Sequence, residues 1–356
     1  MQIRPFETGD FPQLREFLLR EFPDSPQKAD DRFFWWRFHQ NPIGSSLPHY
    51  LLAWENGRVV GQIAGLRDRL HIGGEWLECV WLVDWMVSRE HRGGLVGLHL
   101  FHEAGRLSPL ALGVGVGPHL VSTYKAMRWQ RRAVAGTYFS IRRPASLLKL
   151  TPEPQDGVLP KLLPLAAPLF GALQYTGAWL RRDPGIAIES WDVFPNEVDS
   201  LLADLLPVSG IAPFRSAALL NWKFRGRPAG RHFLLGARRS GALLGYAAVK
   251  LMRRGEARWA ELVDLVAPPQ EPAVFHSLLA ETVRRSGKDF VRFRCSHHSQ
   301  TTHLGRPFWI RHNRDVVDDV FYSAKDAGVS QQLAQAEWDL TSLVSDRTDH
   351  GRDEWE

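Results

Sequence analysis

At 356 residues the chain exceeds one typical domain, and two is the natural expectation; 44% hydrophobic and 23% charged residues are ordinary globular composition, so sizeable cores can be buried. The net charge of +5 is spread out with no run of Lys and Arg, which argues against a nucleic-acid tail and suits a phosphate-bearing cofactor at least as well. Cys79 and Cys295, one in each half, give neither a disulfide framework nor a zinc pattern, and the N-terminal MQIRPFETGDF lacks the apolar core of a signal peptide, so a reducing, cytoplasmic setting is expected.

Met1 to Phe6 alternates like a short strand. Thr8-Gly9-Asp10 supplies N-cap chemistry for a helix over Phe11–Phe22, in which Leu14, Phe17, Leu18 and Phe22 fall at helical spacing. After Pro23 and Pro26 a second helix holds Phe33, Phe34, Trp36, Arg37 and Phe38 and stops at Asn41-Pro42. Tyr50–Trp54 and Arg58–Leu66 flank Asn56-Gly57, a strong hairpin signal, and Trp76–Ser88 reads as a long strand after Gly73-Gly74. A turn at Arg92-Gly93-Gly94 leads into a helix from about Gly94 to Leu107. A strand over Ala111–Val116, a helix over Pro118–Met127 and one or two strands over Arg131–Ile141 follow. Strands in a meander and then alternating with helices imply a mixed sheet covered on both faces.

Residues 144–183 interrupt this pattern with Pro144, Pro152, Pro154, Pro160, Pro164 and Pro168 around an apolar run, Leu159–Leu180. Lys161, Gln174 and the prolines argue against a spanning helix; an inter-domain helix packed on protein leads, and membrane-surface contact through 159–180 is the alternative. From Ile186 the opening pattern returns. Phe34-Trp35-Trp36-Arg37-Phe38 corresponds to Leu220-Asn221-Trp222-Lys223-Phe224. Val59-Val60-Gly61 corresponds to Leu243-Leu244-Gly245, and Leu82-Val83-Asp84 to Leu262-Val263-Asp264. The period is domain-sized, so this is one fold used twice rather than a solenoid. The expected domains are 1–143 and 184–345, with 144–183 as linker and 346–356 as a polar tail.

The stretch Val83–Phe101 carries the chemistry. A strand feeding a glycine turn at a helix N-terminus is an anion cradle, because free amides and the positive helix end converge there. Glycines let a phosphate approach the backbone.

These residues resemble the GCN5-related N-acetyltransferase (GNAT) superfamily in a tandem arrangement. Its acyl-CoA motif, R/Q-x-x-G-x-G/A, lies between the fourth strand and the third helix. Arg92-Gly93-Gly94-Leu95-Val96-Gly97 matches it at the first and sixth positions, with Leu95 at the fourth. The family often has a tyrosine in the helix after its fifth strand, four residues before a Gly-aromatic pair. Here that stretch is Tyr124-Lys125-Ala126-Met127-Arg128-Trp129, with Arg128 in place of the glycine. The resemblance implies an α/β fold of two GNAT-like domains, each a mixed, mostly antiparallel sheet flanked by helices. After Asp264 the second copy has no arginine or glycine but three prolines and Glu271, so the loop is expected only in the first.

By the same resemblance, the backbone at Met86 and Val87 lies along the pantetheine arm and donates to the thioester oxygen, and the loop Arg92, Gly93, Gly94, Leu95, Val96 and Gly97 holds the pyrophosphate. Tyr124 is the implied general acid, and Asp84 the base or amine-orienting group, with Glu78 behind it. Asp264, however, persists in the copy without a loop, so a shared structural role for both aspartates stands beside catalysis. His91 is either a phosphate contact or exposed, and His297, His298 and His303 read as solvated loop residues rather than a metal site. The implied activity is N-acyl transfer from acetyl-CoA or another acyl-CoA to a primary amine of a small molecule, an amino sugar among the candidates. An aminoacyl-tRNA-dependent FemAB-like transferase and a non-catalytic acyl-CoA-binding module stay open. Oligomeric state is not legible.

Overall fold

The computed structural model describes residues 1–23, 25–143, 172, 176, 180, 182–206, 210–227, 231–296, 304, 309–311, 318–343 and 354–355. Most of 144–183, His297, His298, His303 and most of the 346–356 tail lie outside the described residues.

Strand β1 (Gln2–Pro5) leads into helices α1 (Phe11–Glu21) and α2 (Asp31–Phe38). In α1 the buried positions Leu14, Phe17, Leu18 and Glu21 form one stripe at helical spacing. Helix α2 starts where the Asp30 carboxylate accepts the Phe33 amide at 2.9 Å. The hairpin of β2 (Tyr50–Glu55) and β3 (Arg58–Ile72) turns through Asn56 and Gly57, both at positive φ, as a two-residue primed turn requires. Strand β4 (Glu75–Val87) follows a second positive-φ turn at Gly73-Gly74. Helix α3 (Val96–Arg106), strand β5 (Leu110–Val114), helix α4 (Val121–Ala126) and strand β6 (Gln130–Ile141) complete this half.

The second half repeats the series with β7 (Ala187–Trp191), α5 (Glu197–Leu205), a short β8 (Ala212–Pro213), α6 (Ala217–Phe224), β9 (His232–Arg239), β10 (Ala242–Arg254) and β11 (Ala257–Val266). Helix α7 (Pro272–Ser286) and strands β12 (Phe290–Cys295), β13 (Ile310–Arg311) and β14 (Asp318–Ala324) precede α8 (Ala327–Gln335) and the two-residue β15 (Glu354–Trp355).

Two separate sheets were expected; the strands instead form one continuous mixed sheet, in the order β1-β2-β3-β4-β5-β14-β6-β12-β11-β10-β9-β7. Pairing is antiparallel except at β4–β5 and β11–β12. Read inward from either edge, the order gives five strands of one half and then a strand from the other: β14 pairs with β5, and β6 pairs with β12. Strands β14 and β6 pair with each other at the centre. The sheets merge because each half completes the other's ladder, an arrangement that removes two edges.

A second crossing tie lies at the repeated helices. Trp36 of α2 and Trp222 of α6 stack at 5.1 Å, and each indole N–H donates to the other's backbone carbonyl at 3.0 Å. The contact is reciprocal, as in an isologous dimer interface. Helices α1 and α2 cover one face of the first half around Phe17, Phe34 and Leu52, while α3 and α4 cover the other around Leu100, Phe101 and Tyr124.

Candidate active site

Strands β4 and β5 run parallel, yet their ladder contains only Val80–Ala111 and Trp81–Leu112. Beyond it β4 continues to Val87 held by β3 alone, and β5 continues to Val114 held by β14. The edges facing each other between Leu82–Val87 and Gly113–Val114 therefore carry no mutual hydrogen bonds, and the two strands part into a slot. A bulge in the β3–β4 register between Gln62 and Ala64 accompanies the parting, with Asp84 at φ +52°. Such a φ is uncommon for a residue other than glycine and marks a strained point of the strand.

The loop after β4 ends the slot. Gly93 sits at φ +82°, a conformation an L side chain rarely adopts. Among the described residues, the amides of Ser88, His91, Arg92 and Gly94 donate within the turn or to β3, whereas those of Gly93, Leu95, Val96, Gly97 and Leu98 donate to no protein acceptor. Five uncommitted amides around a helix N-terminus are the donors an anion needs. Leu95, at the motif's fourth position, has φ −79° and a side chain 63% exposed, so a glycine is not required there by the backbone. At Gly97 an added Cβ would come 3.3 Å from Val87 Cγ2, which is why α3 can lie close on β4. The Arg92 side chain is a strut: its guanidinium donates to the Val87 carbonyl at 3.2 Å and to the buried Glu21 carboxylate at 3.2 Å, tying the loop to α1. His91 is held between Ser88 Oγ and Glu55, and that contact lowers the Glu55 pKa.

Tyr124 stands on the slot's other wall. Its ring is packed by Phe101, Trp129 and Phe321, and its hydroxyl lies 2.7 Å from where a Cβ on Gly113 would be. No hydrogen bond holds that hydroxyl among the described residues, and burial pushes the phenol pKa above its usual value. Arg128, where the resemblance has glycine, occupies φ +61° just past the end of α4, which explains the preference for glycine at that point.

Asp84 points away from this wall. Its carboxylate, 4% exposed, lies between Lys28 and Arg37, the latter at 2.8 Å. The counterpart Asp264 is fully buried and takes Arg215 in two hydrogen bonds at 3.1 and 3.3 Å, Tyr246 at 2.7 Å and Thr341 at 2.8 Å. Each aspartate thus anchors the cation that precedes the tryptophan helix of its own half. Glu78 lies six residues up β4, half exposed and paired with Arg67 at 3.0 Å. Lys28 and Glu21 carried no motif signal: one is a lone lysine in a Pro-rich turn, the other the last position of an amphipathic stripe. Both cysteines are buried and unpaired, with thiol pKa values raised by burial. No metal cluster occurs among the described residues, and no helix among them is long and apolar enough to cross a membrane.

A family model described as "Acetyltransferase (GNAT) domain" matches residues 2–104, which reach from β1 into α3. Solved structures match far more of the chain. A GCN5-related N-acetyltransferase from Anabaena variabilis ATCC 29413 superimposes with a TM-score of 0.65 at 12% identity, covering 92% of this chain and 74% of that one. The chain has the GNAT fold. A probable N-acyltransferase of unknown function from Enterococcus faecalis V583 gives 0.60 at 11% identity over 91% of this chain and 72% of its own. Eis1 from Mycobacterium abscessus gives 0.54 at 14% identity over 92% and 74%. No curated protein matches the chain.

Proposed function

We propose that this protein is an acyl-CoA-dependent N-acyltransferase whose first half, residues 1–143, binds the donor and whose second half, 184–345, is a tandem copy without a donor loop. The observation that carries this reading is the slot between β4 and β5 ending on five amides, at Gly93, Leu95, Val96, Gly97 and Leu98, that meet no acceptor among the described residues. A pyrophosphate satisfies those donors, and the unladdered edge of β4 at Met86 and Val87 offers backbone groups to a pantetheine arm. The bound acyl-CoA, as acetyl-CoA or a longer homologue, supplies a thioester carbonyl open to attack by an amine.

The protein's part is then positioning and proton management. Backbone N–H groups at the β4 bulge polarise the thioester carbonyl. The Tyr124 hydroxyl, which makes no competing hydrogen bond among the described residues, gives its proton to the departing sulfur. The C–N bond forms as the C–S bond breaks, and the amine loses its proton to water. We assign Asp84, held between two cations, the positioning of the bulge through Lys28 and Arg37. The acceptor is read as a primary amine on a small molecule, an amino sugar being one candidate. A cytoplasmic setting accords with the two unpaired cysteines.

The test is thermal unfolding with and without CoA and acetyl-CoA, followed by a thiol-release assay over a panel of amines. A ligand that binds the native state at 100 times its Kd stabilises it by about 2.7 kcal/mol, enough to move the melting temperature by several degrees. No shift with either compound at millimolar concentration sinks the proposal.

A further inference from the structure

The second half lost the donor loop but kept a pocket. A cavity of about 360 Å³ opens beside the end of β11. Its bed is apolar, with Leu202, Leu206 and Val266; Phe214 and Trp76 form one side, Trp76 coming from β4 of the first half. The two rings meet edge to face at 5.3 Å, and Trp76 is 39% exposed, high for so large an apolar side chain. The pocket has a defined place in the duplicated plan. Val266 lies two residues beyond Asp264, as Met86 lies two beyond Asp84, and Arg215 holds Asp264 as Lys28 holds Asp84. It is therefore the second half's counterpart of the end of β4. Ten residues of extended strand separate Trp76 from Met86, roughly 33 Å, so it is not part of the donor slot.

The charges in its wall set the ligand class. Among the described lining residues, Asp199 and Asp339 stand against one cation, Arg215, while Arg69 lies behind the wall with its guanidinium 5.9 Å from the Phe214 ring centre. The charge of Arg215 is already matched by the buried Asp264 behind it at 3.1 Å, as well as by Asp339 at 3.1 Å. The charged side chains that line the cavity among the described residues therefore sum to a negative charge. One oxygen of Asp339, itself buried from solvent, finds no hydrogen-bond partner among the described residues. Asp199 uses one oxygen to accept the Ala217 amide at 2.6 Å and is otherwise exposed at the rim. An apolar bed with aromatic walls and an acidic rim discriminates against anions and favours a cationic nitrogen carried on an apolar body. We propose that this pocket binds a small amphiphilic amine, and that it does so independently of the donor slot. The binding stands whether or not the first half transfers acyl groups.

Isothermal titration of the full chain with 4-phenylbutylamine, and with 4-phenylbutyrate as the anionic counterpart, tests this. One molar equivalent of the amine binds, and the carboxylate binds at least about tenfold more weakly. Ala203→Trp, at an exposed position in the pocket wall, abolishes binding while leaving the melting temperature within a few degrees. Asp199→Asn, which keeps the acceptor for Ala217, weakens amine binding about fivefold and leaves the carboxylate unchanged or tighter. Tyr124→Phe changes neither titration, which separates this site from the transfer site. The proposal is overturned if the amine fails to bind at millimolar concentration, if both probes bind equally, or if a folded Ala203→Trp variant binds as the parent does.

Discussion

Two side chains of the first half answer different questions at the residue scale. Tyr124 is packed on three rings, yet its hydroxyl makes no hydrogen bond among the described residues. Tyr124→Phe therefore keeps the packing, leaves the melting temperature nearly unchanged, and lowers kcat about 100-fold with KM for the acyl donor unaltered; steady-state kinetics check the split. Asp84 behaves as a buried counter-ion. Asp84→Asn leaves Lys28 and Arg37 with less compensation and destabilises by about 3 kcal/mol, and Asp264→Asn does the same in the second half. Urea unfolding of both variants measures this. Loss of activity in Asp84→Asn with an unchanged pH–rate profile identifies positioning, whereas loss of an acidic limb identifies a base. Sequence could place Asp84 on its strand and pair it with Asp264. It could not reveal the buried cations, because Lys28 sits in a short turn with no periodicity to announce a partner 56 positions away.

Element-scale features separate what local sequence specifies from what packing decides. The hairpin at Asn56-Gly57, the glycine turn and the amphipathic stripe of α1 follow from residue type alone, and each was legible. The parting of β4 from β5 depends on which edges meet, and nothing local encodes that. The helix α3 contact makes a contrast available. Leu95→Gly removes an exposed side chain and changes acyl-donor affinity by less than about twofold, while Gly97→Val drives a side chain into Val87, lifts α3 from β4 and costs about 1–3 kcal/mol of stability. Donor titration and thermal melts distinguish the two. Helix α7 carries an acid-sensitive contact of its own. Hydrogen bonds from Arg284, with a further contribution from Arg285, hold the Glu281 carboxyl at about 2. A carboxyl depressed by folding stabilises fully above its ordinary value near 4.5, and that stabilisation is lost as pH falls from there toward 2. The parent thus loses an increment of stability over that window that Glu281→Gln lacks at every pH, measurable as a difference in urea midpoints.

For the whole molecule, the duplicated order of elements was readable, but the shared sheet was not, since strand exchange between similar halves leaves each half's pattern intact. With β14 inside one half and β6 inside the other, neither half has a complete sheet alone. Heating or urea therefore gives a single cooperative transition, with calorimetric and van't Hoff enthalpies equal, and residues 1–143 expressed alone are unfolded or aggregated. Two resolved transitions would refute the coupling. The crossing of β14 also bears on how the chain is made. The strand that lines the slot beside β5 emerges from the ribosome roughly 180 residues after β6, which at about 5–20 residues per second is a wait of about 10–35 s. Throughout that interval the nascent first half exposes the two edges that β14 will occupy. The ladder beside β5 is completed only near the end of translation, so a chain released early lacks that wall even when every residue of the glycine turn is present.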